Sequence, residues 1–104
     1  MGLQEPWFSF VREGVKKVEG RIYDEKRRDL EVGDKIEFSN GEKKFKKTIE
    51  KLMVFEDFEK ALRFAKLKNI LPGIKYYYQG VLLYRSIPGY EKKEKKHGVL
   101  LIFF

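Results

Sequence analysis

The sequence predicts an α+β fold in which a small β-barrel is flanked by two or three helices. β-prone runs lie towards both ends of the chain, at residues 17–23 and 99–104. Between them, Asn40-Gly41 is a hairpin signal separating two alternating runs. Two later segments, after Glu56 and after Gly73, repeat apolar residues at helical spacing. With four or five strands in 104 residues, closing the sheet is the economical way to remove exposed edges. The length gives one domain, residues 1–104, with a single modest core.

The elements follow in order. Leu3 begins a short edge strand or lead-in. Glu5-Pro6-Trp7 is a helix start, because the missing N–H of proline costs nothing in a first turn. Trp7, Phe10 and Val11 fall at i, i+3 and i+4 on a helix to about Glu13, which Gly14 stops. That spacing makes Trp7 a core anchor and not a base-stacking platform. From Lys17 the period becomes two. Val18, Gly20 and Ile22 form a dry face, and Lys17, Glu19, Arg21 and Tyr23 a charged one. Residues 24–29 are too polar to bury and form a loop, and residues 30–34 a tight turn.

Residues 35–38 are a second strand with Ile36 and Phe38 inward. Asn40-Gly41 returns the chain into a long strand over 43–55, with Phe45, Ile49, Met53 and Phe55 in one alternating set. Glu56-Asp57-Phe58 opens a helix whose stripe is Phe58, Leu62 and Ala65, with Ala61 and Phe64 beside them. Leu71-Pro72-Gly73 breaks it. Residues 74–87 are read as a second helix on the stripe Tyr77, Val81, Tyr84 and Ile87. A strand is the rival there, because Tyr76-Tyr77-Tyr78 is β-prone and Gly80 weakens a helix. Core packing is expected of the tyrosine run, since alternate members must face inward. Residues 91–96 are a charged surface segment, His97 a solvated turn residue, and residues 99–104 a last strand paired inside a sheet.

Composition limits the chemistry. Hydrophobic residues at 42% and aromatics at 15% are enough to fold the chain despite 38% charge. Without cysteine there is no disulfide framework, thiolate metal site or thiol nucleophile. One histidine supports neither a zinc site nor a Ser-His triad. No metal and no cofactor is expected. The first ten residues lack the pattern of a signal peptide, and the run 99–104 is too short to cross a bilayer. The expectation is a soluble, cytoplasmic protein that keeps off membranes. Abundant Lys and Glu beside few Asn and Gln fit selection for heat. The formal charge of +7 suits a polyanionic partner and, equally, a lysine-rich surface kept for solubility.

The candidate site is the cation-rich stretch 14–28. Its strand carries Lys16, Lys17, Glu19 and Arg21, and its loop carries Lys26, Arg27 and Arg28. Lys16 is a base or nucleophile only if burial or neighbouring cations lower its pKa. Lys17 and Arg21 would push it that way, and Glu19 would oppose them. Pairing of Lys16 with Glu19, or its contact with a phosphate, is the preferred role. Strict alternation sets Lys16 on the Val18 face, so it reaches the cleft of Glu19 and Arg21 only through an irregular strand start. Glu19 and Arg21 could read a base edge and clamp a phosphate. They could equally form a salt bridge at the barrel mouth. Lys26, Arg27 and Arg28 suit phosphate contacts or plain solvation, and Tyr23 and the tyrosine run could stack bases. Lys43, Lys44, Lys46 and Lys47 extend the positive surface without sequence specificity.

Together, Gly14-x-Lys16-x-x-Glu19-x-Arg21, Val32-Gly33-Asp34 before a strand, Leu71-Pro72-Gly73 after a helix and the closing Lys96-x-Gly98-Val99-Leu100 resemble the ASCH domain. This is the activating signal cointegrator homology family, related to the PUA fold, and the likeness is greatest to small stand-alone archaeal members. The resemblance covers nearly the whole chain. It implies a PUA-like barrel with a cleft beside the Lys16–Arg21 strand, and binding of RNA or a nucleotide or nucleoside. Some bacterial members look like amidohydrolases that deacetylate acetylcytidine with a lysine, a threonine and a glutamate. Lys16 matches that lysine by spacing, Glu19 stands where the threonine would, and the region of the third residue, 66–68, is rich in lysine. Lys16 and Glu19 are therefore the catalytic candidates. The binding candidates are Lys16, Lys17, Glu19, Arg21, Tyr23, Lys26, Arg27 and Arg28. An RNA- or nucleotide-binding module is the first reading, a hydrolase of a modified nucleoside or RNA the second, and a protein-interaction adaptor the third.

Overall fold

The computed structural model describes residues 1–104 as five strands and five α-helices in an α+β arrangement. Strands β1 (Val18–Ile22), β5 (Val99–Phe103) and β4 (Lys51–Phe55) form an antiparallel sheet with β5 in the middle. β2 (Lys35–Asn40) and β3 (Lys43–Thr48) form a separate antiparallel hairpin. The two sheets do not close into a barrel, which corrects the expectation of closure. The cause lies in the run 43–55, which divides at Ile49-Glu50. The Ile49 N–H donates to the Asp34 carbonyl and the next amide, Glu50, donates to the Phe103 carbonyl, both at 2.8 Å. Successive amides thus bond to different sheets.

Helices and the hairpin cover the three-stranded sheet where closure would have done so. β5 is apolar throughout because it is buried on both faces. Its Val99 and Leu101 join Val18, Ile22, Phe58, Leu62, Ile70 and Val81 in one core. Its Leu100 and Ile102 join Phe8, Val11, Ile36, Phe38 and Ile49 in a second. The single expected core is therefore two, one on each side of the strand.

α1 (Trp7–Arg12) buries Phe8 and Val11, whereas Trp7 is half-buried and touches both cores. α2 (Phe58–Ala65) starts at Asp57, whose carboxylate accepts the Lys60 N–H at 2.8 Å. It buries Phe58, Ala61, Leu62 and Ala65, and leaves Phe64 exposed over Phe55 and Phe103. Lys66 ends it at φ 68, and the single turn α3 (Leu67–Ile70) follows. α4 (Tyr77–Arg85) settles the choice between helix and strand in favour of helix. Gly80 belongs there because a Cβ would stand 3.1 Å from both Leu62 and Leu71. Tyr77 packs against the core as its stripe requires, and Tyr76 and Tyr78 on either side of it are exposed. The segment read as charged surface is a helix, α5 (Tyr90–His97), because Glu94 gives it an inner face. The Glu94 carboxylate accepts the Phe58 N–H at 2.8 Å and two Arg85 N–H groups at 2.8 and 3.1 Å. No helix is long and apolar enough to cross a membrane.

Candidate functional site: a cleft with a charged floor

The start of β1 is irregular, and this decides where Lys16 points. Gly14 takes φ 81, and the Val15 and Lys16 amides both donate to the Phe10 carbonyl at 2.9 Å. Regular pairing begins only at Val18. Lys16 therefore escapes strict alternation and comes to lie beside Glu19. It is 1% exposed. Its Nζ donates to the Ile70 carbonyl, lies 3.4 Å from Glu19 Oε1 and sits 5.9 Å from the Trp7 ring centroid.

Glu19, 4% exposed, is the hub. Its Oε1 also accepts the Gly20 N–H at 2.9 Å and the Tyr84 hydroxyl at 3.3 Å. Its Oε2 accepts from Arg21 Nη2 at 3.2 Å, and the same Nη2 donates to the Gly2 carbonyl at 2.9 Å. Tyr84 is fixed by stacking on Phe58, with centroids 4.5 Å apart. Gly20 makes room for it, since a Cβ there would lie 3.1 Å from the Tyr84 hydroxyl.

The charges are tuned by burial and by one another. Burial lowers the pKa of Lys16, with Glu19 opposing the shift. Burial pushes the Glu19 carboxyl up, but Lys16 and Arg21 outweigh it and hold the pKa below the ordinary value. For Arg21 burial works against the charge and Glu19 restores it, leaving the pKa raised. Burial, then Glu19, push the Tyr84 phenol well above its ordinary value, so it stays a neutral donor. The Glu19 carboxylate is engaged on both oxygens, Oε1 by Gly20 and Tyr84 and Oε2 by Arg21. By formal charge the cluster holds two cations, Lys16 and Arg21, against one carboxylate.

These groups form the floor of a cleft of about 430 Å³. Trp7, Leu83, Ile87 and Tyr90 give it apolar walls, and Gly2, Leu3 and Gln4 close one side. Of the residues singled out in the sequence, the fold brings Lys16, Glu19 and Arg21 together here. Lys17, Tyr23, Lys26, Arg27 and Arg28 do not line the cleft. Arg27 pairs with Asp24 at 3.2 Å, and Arg28 lies over the Tyr23 ring at 5.1 Å. Sequence reasoning missed Trp7, Tyr84 and Tyr90 as cleft residues. A phenol on the buried stripe of a helix needs a hydrogen-bond partner, which was the available clue for Tyr84.

The profile of the ASCH domain matches residues 1–104, and the chain belongs to that family. It is similar to the crystal structure of the hypothetical protein PH0355, with a TM-score of 0.90 and 41% identity over 99% of this chain and 93% of that one. It is also similar to the solution structure of protein PF0455 from Pyrococcus furiosus, with a TM-score of 0.79 and 41% identity over 99% of this chain and 91% of that one. No curated protein matches the chain.

Proposed function

We propose that the cleft binds one nucleotide unit, free or within RNA, and that binding is its principal function. The observation that carries this is a buried Lys16–Glu19–Arg21 cluster, net positive by formal charge, beneath apolar and aromatic walls. Arg21 forms hydrogen bonds within the protein through Nη2 alone, so its Nε and Nη1 are available to an anion. The Trp7 and Tyr90 rings and the Leu83 side chain offer surface to a base. A volume of about 430 Å³ falls within the range of small-molecule sites. Titration of the protein with nucleoside monophosphates, followed by NMR chemical shifts, tests the reading. Arg21→Gln is expected to weaken binding roughly tenfold or more. Unchanged affinity in a folded Arg21→Gln protein would overturn it.

Hydrolysis of an acetylated nucleoside is the second reading, favoured by the burial that lowers the Lys16 pKa. Against it, Lys16 Nζ is engaged by the Ile70 carbonyl and Glu19, and position 19 has no hydroxyl. Incubation with acetylcytidine is expected to release no cytidine. Turnover that vanishes in Lys16→Ala would put hydrolysis first.

A further inference from the structure

One long stretch of this protein has cations but no carboxylates. From residue 60 to residue 90 there are six Lys or Arg and no Asp or Glu. The rest of the chain holds seventeen cations against sixteen carboxylates, so this stretch carries all but one unit of the net +7. Lys60, Arg63 and Arg85 pair with Glu56, Glu59 and Glu94, leaving Lys66, Lys68 and Lys75 exposed and without a salt bridge. The loop 24–29, by contrast, balances three cations with three carboxylates.

Within that stretch the outward face of α4 is uncharged. Tyr78 is 64% exposed and Leu82, one turn on, 62%. Gln79 and Ser86 are the exposed polar residues among them, and Leu83 and Ile87 continue the surface. Leu83, Ser86 and Ile87 also line the cleft, so the two surfaces are continuous. At the other end the Tyr76 and Tyr78 rings stack, with centroids 5.8 Å apart and planes at 17°. The Arg63 guanidinium lies 4.7 Å from the neighbouring Tyr77 ring. An apolar, aromatic strip in a stretch whose unpaired charges are all lysines matches the stacked bases and flanking phosphates of a single strand better than an acidic or apolar protein surface.

We propose that a single-stranded polynucleotide lies along α4 from the cleft to Tyr76 and Tyr78, its bases against the helix and its phosphates towards Lys66, Lys68 and Lys75. The proposal rests on the nucleotide reading of the cleft, which would hold one unit of the same strand. From Arg85 back to Tyr78 the helix rises about 10 Å, a distance about two further nucleotides can span.

The experiment compares a nucleoside monophosphate with oligonucleotides of increasing length, as RNA and as DNA of the same sequence, by NMR shifts and fluorescence anisotropy. Affinity is expected to climb over the first few nucleotides and then level off. Tyr76→Ala/Tyr78→Ala, made at exposed positions, is expected to lower hexanucleotide affinity about tenfold or more. The same variant should leave monophosphate binding unchanged. Arg21→Gln should weaken both, which separates failure of the strip from failure of the cleft. Wild-type hexanucleotide affinity in the tyrosine variant would overturn the proposal. So would a dimer, seen by sedimentation, that this variant dissociates without loss of nucleic-acid affinity, since the strip would then be a contact between two copies of the chain. Stronger binding of RNA than of DNA in this series would assign the strand to RNA, and equal binding to single strands of either kind; both support the strip.

Discussion

Glu19 accepts hydrogen bonds from Gly20, Tyr84 and Arg21 and lies beside Lys16, so its loss would be felt by all four at once. Glu19→Gln leaves the Lys16 and Arg21 charges beneath the surface without a counter-charge. The expected cost is about 3–5 kcal/mol in denaturant unfolding at neutral pH. The acid limb has a defined sign. The folded pKa of Glu19 lies below its ordinary 4.5, so its stabilisation is complete above about pH 4.5. It is lost as pH falls from there through the folded value. A melting series over acid pH should therefore show a steeper fall for the wild type than for Glu19→Gln. Equal slopes would remove Glu19 from the acid response. Pairing of Lys16 with Glu19 was legible from the residue types. Their approach was not, because it needs the bend at Gly14 and the shared Phe10 carbonyl.

Among the elements, α4 shows how a residue that is poor for local structure can suit packing. Gly80 weakens the helix on its own, yet a Cβ there would meet Leu62, Leu67 and Leu71 at 3.1–3.2 Å, closer than ordinary contact. Gly80→Ala trades a gain in helix propensity of up to about 1 kcal/mol against overpacking of about 1–3 kcal/mol. A net loss of stability is expected, read as a lower thermal midpoint. A higher midpoint would mean that α2 and α3 yield easily. The helical stripe of α4 was readable from its spacing, and so was that of α2. α5 escaped notice because its one fully buried residue, Glu94, is charged, and a buried carboxylate has no apolar signature in sequence. Only its partners, the Phe58 amide and the Arg85 guanidinium, make its burial affordable.

At the scale of the whole molecule, charge placement matters more than net charge. Lysines on β3 and in the loop 24–29 have carboxylates nearby in the chain, whereas Lys66, Lys68 and Lys75 have none between residues 60 and 90. Three phosphate contacts on a single strand give a slope of log K against log salt of about −2, and Arg21 adds to it. Neutralising Lys66, Lys68 and Lys75 to Gln should bring the slope to about −1. The Arg27→Gln/Arg28→Gln pair should change it little. Anisotropy across a salt series distinguishes the two, and the opposite ranking would move the polyanion to the loop.

The sequence by itself determined what is periodic or local. Ile36 and Phe38 point inward by alternation, Asn40-Gly41 marks the hairpin, and Phe58, Leu62, Val81 and Tyr84 fall on helical stripes, all as found. The turn sits one residue later than the motif suggests, with Gly41 and Glu42 between the paired Asn40 and Lys43. The tertiary structure alone decided that the run 43–55 serves two sheets, that Lys16 turns into the cleft with Glu19 and Arg21, and that Tyr76 and Tyr78 face outward. The physical reason is common to the three. Periodicity records which face of an element is apolar, a property of near neighbours. The partner that an amide, an ammonium or an aromatic ring finally meets is set by residues far along the chain, 54 positions away for Lys16 and Ile70.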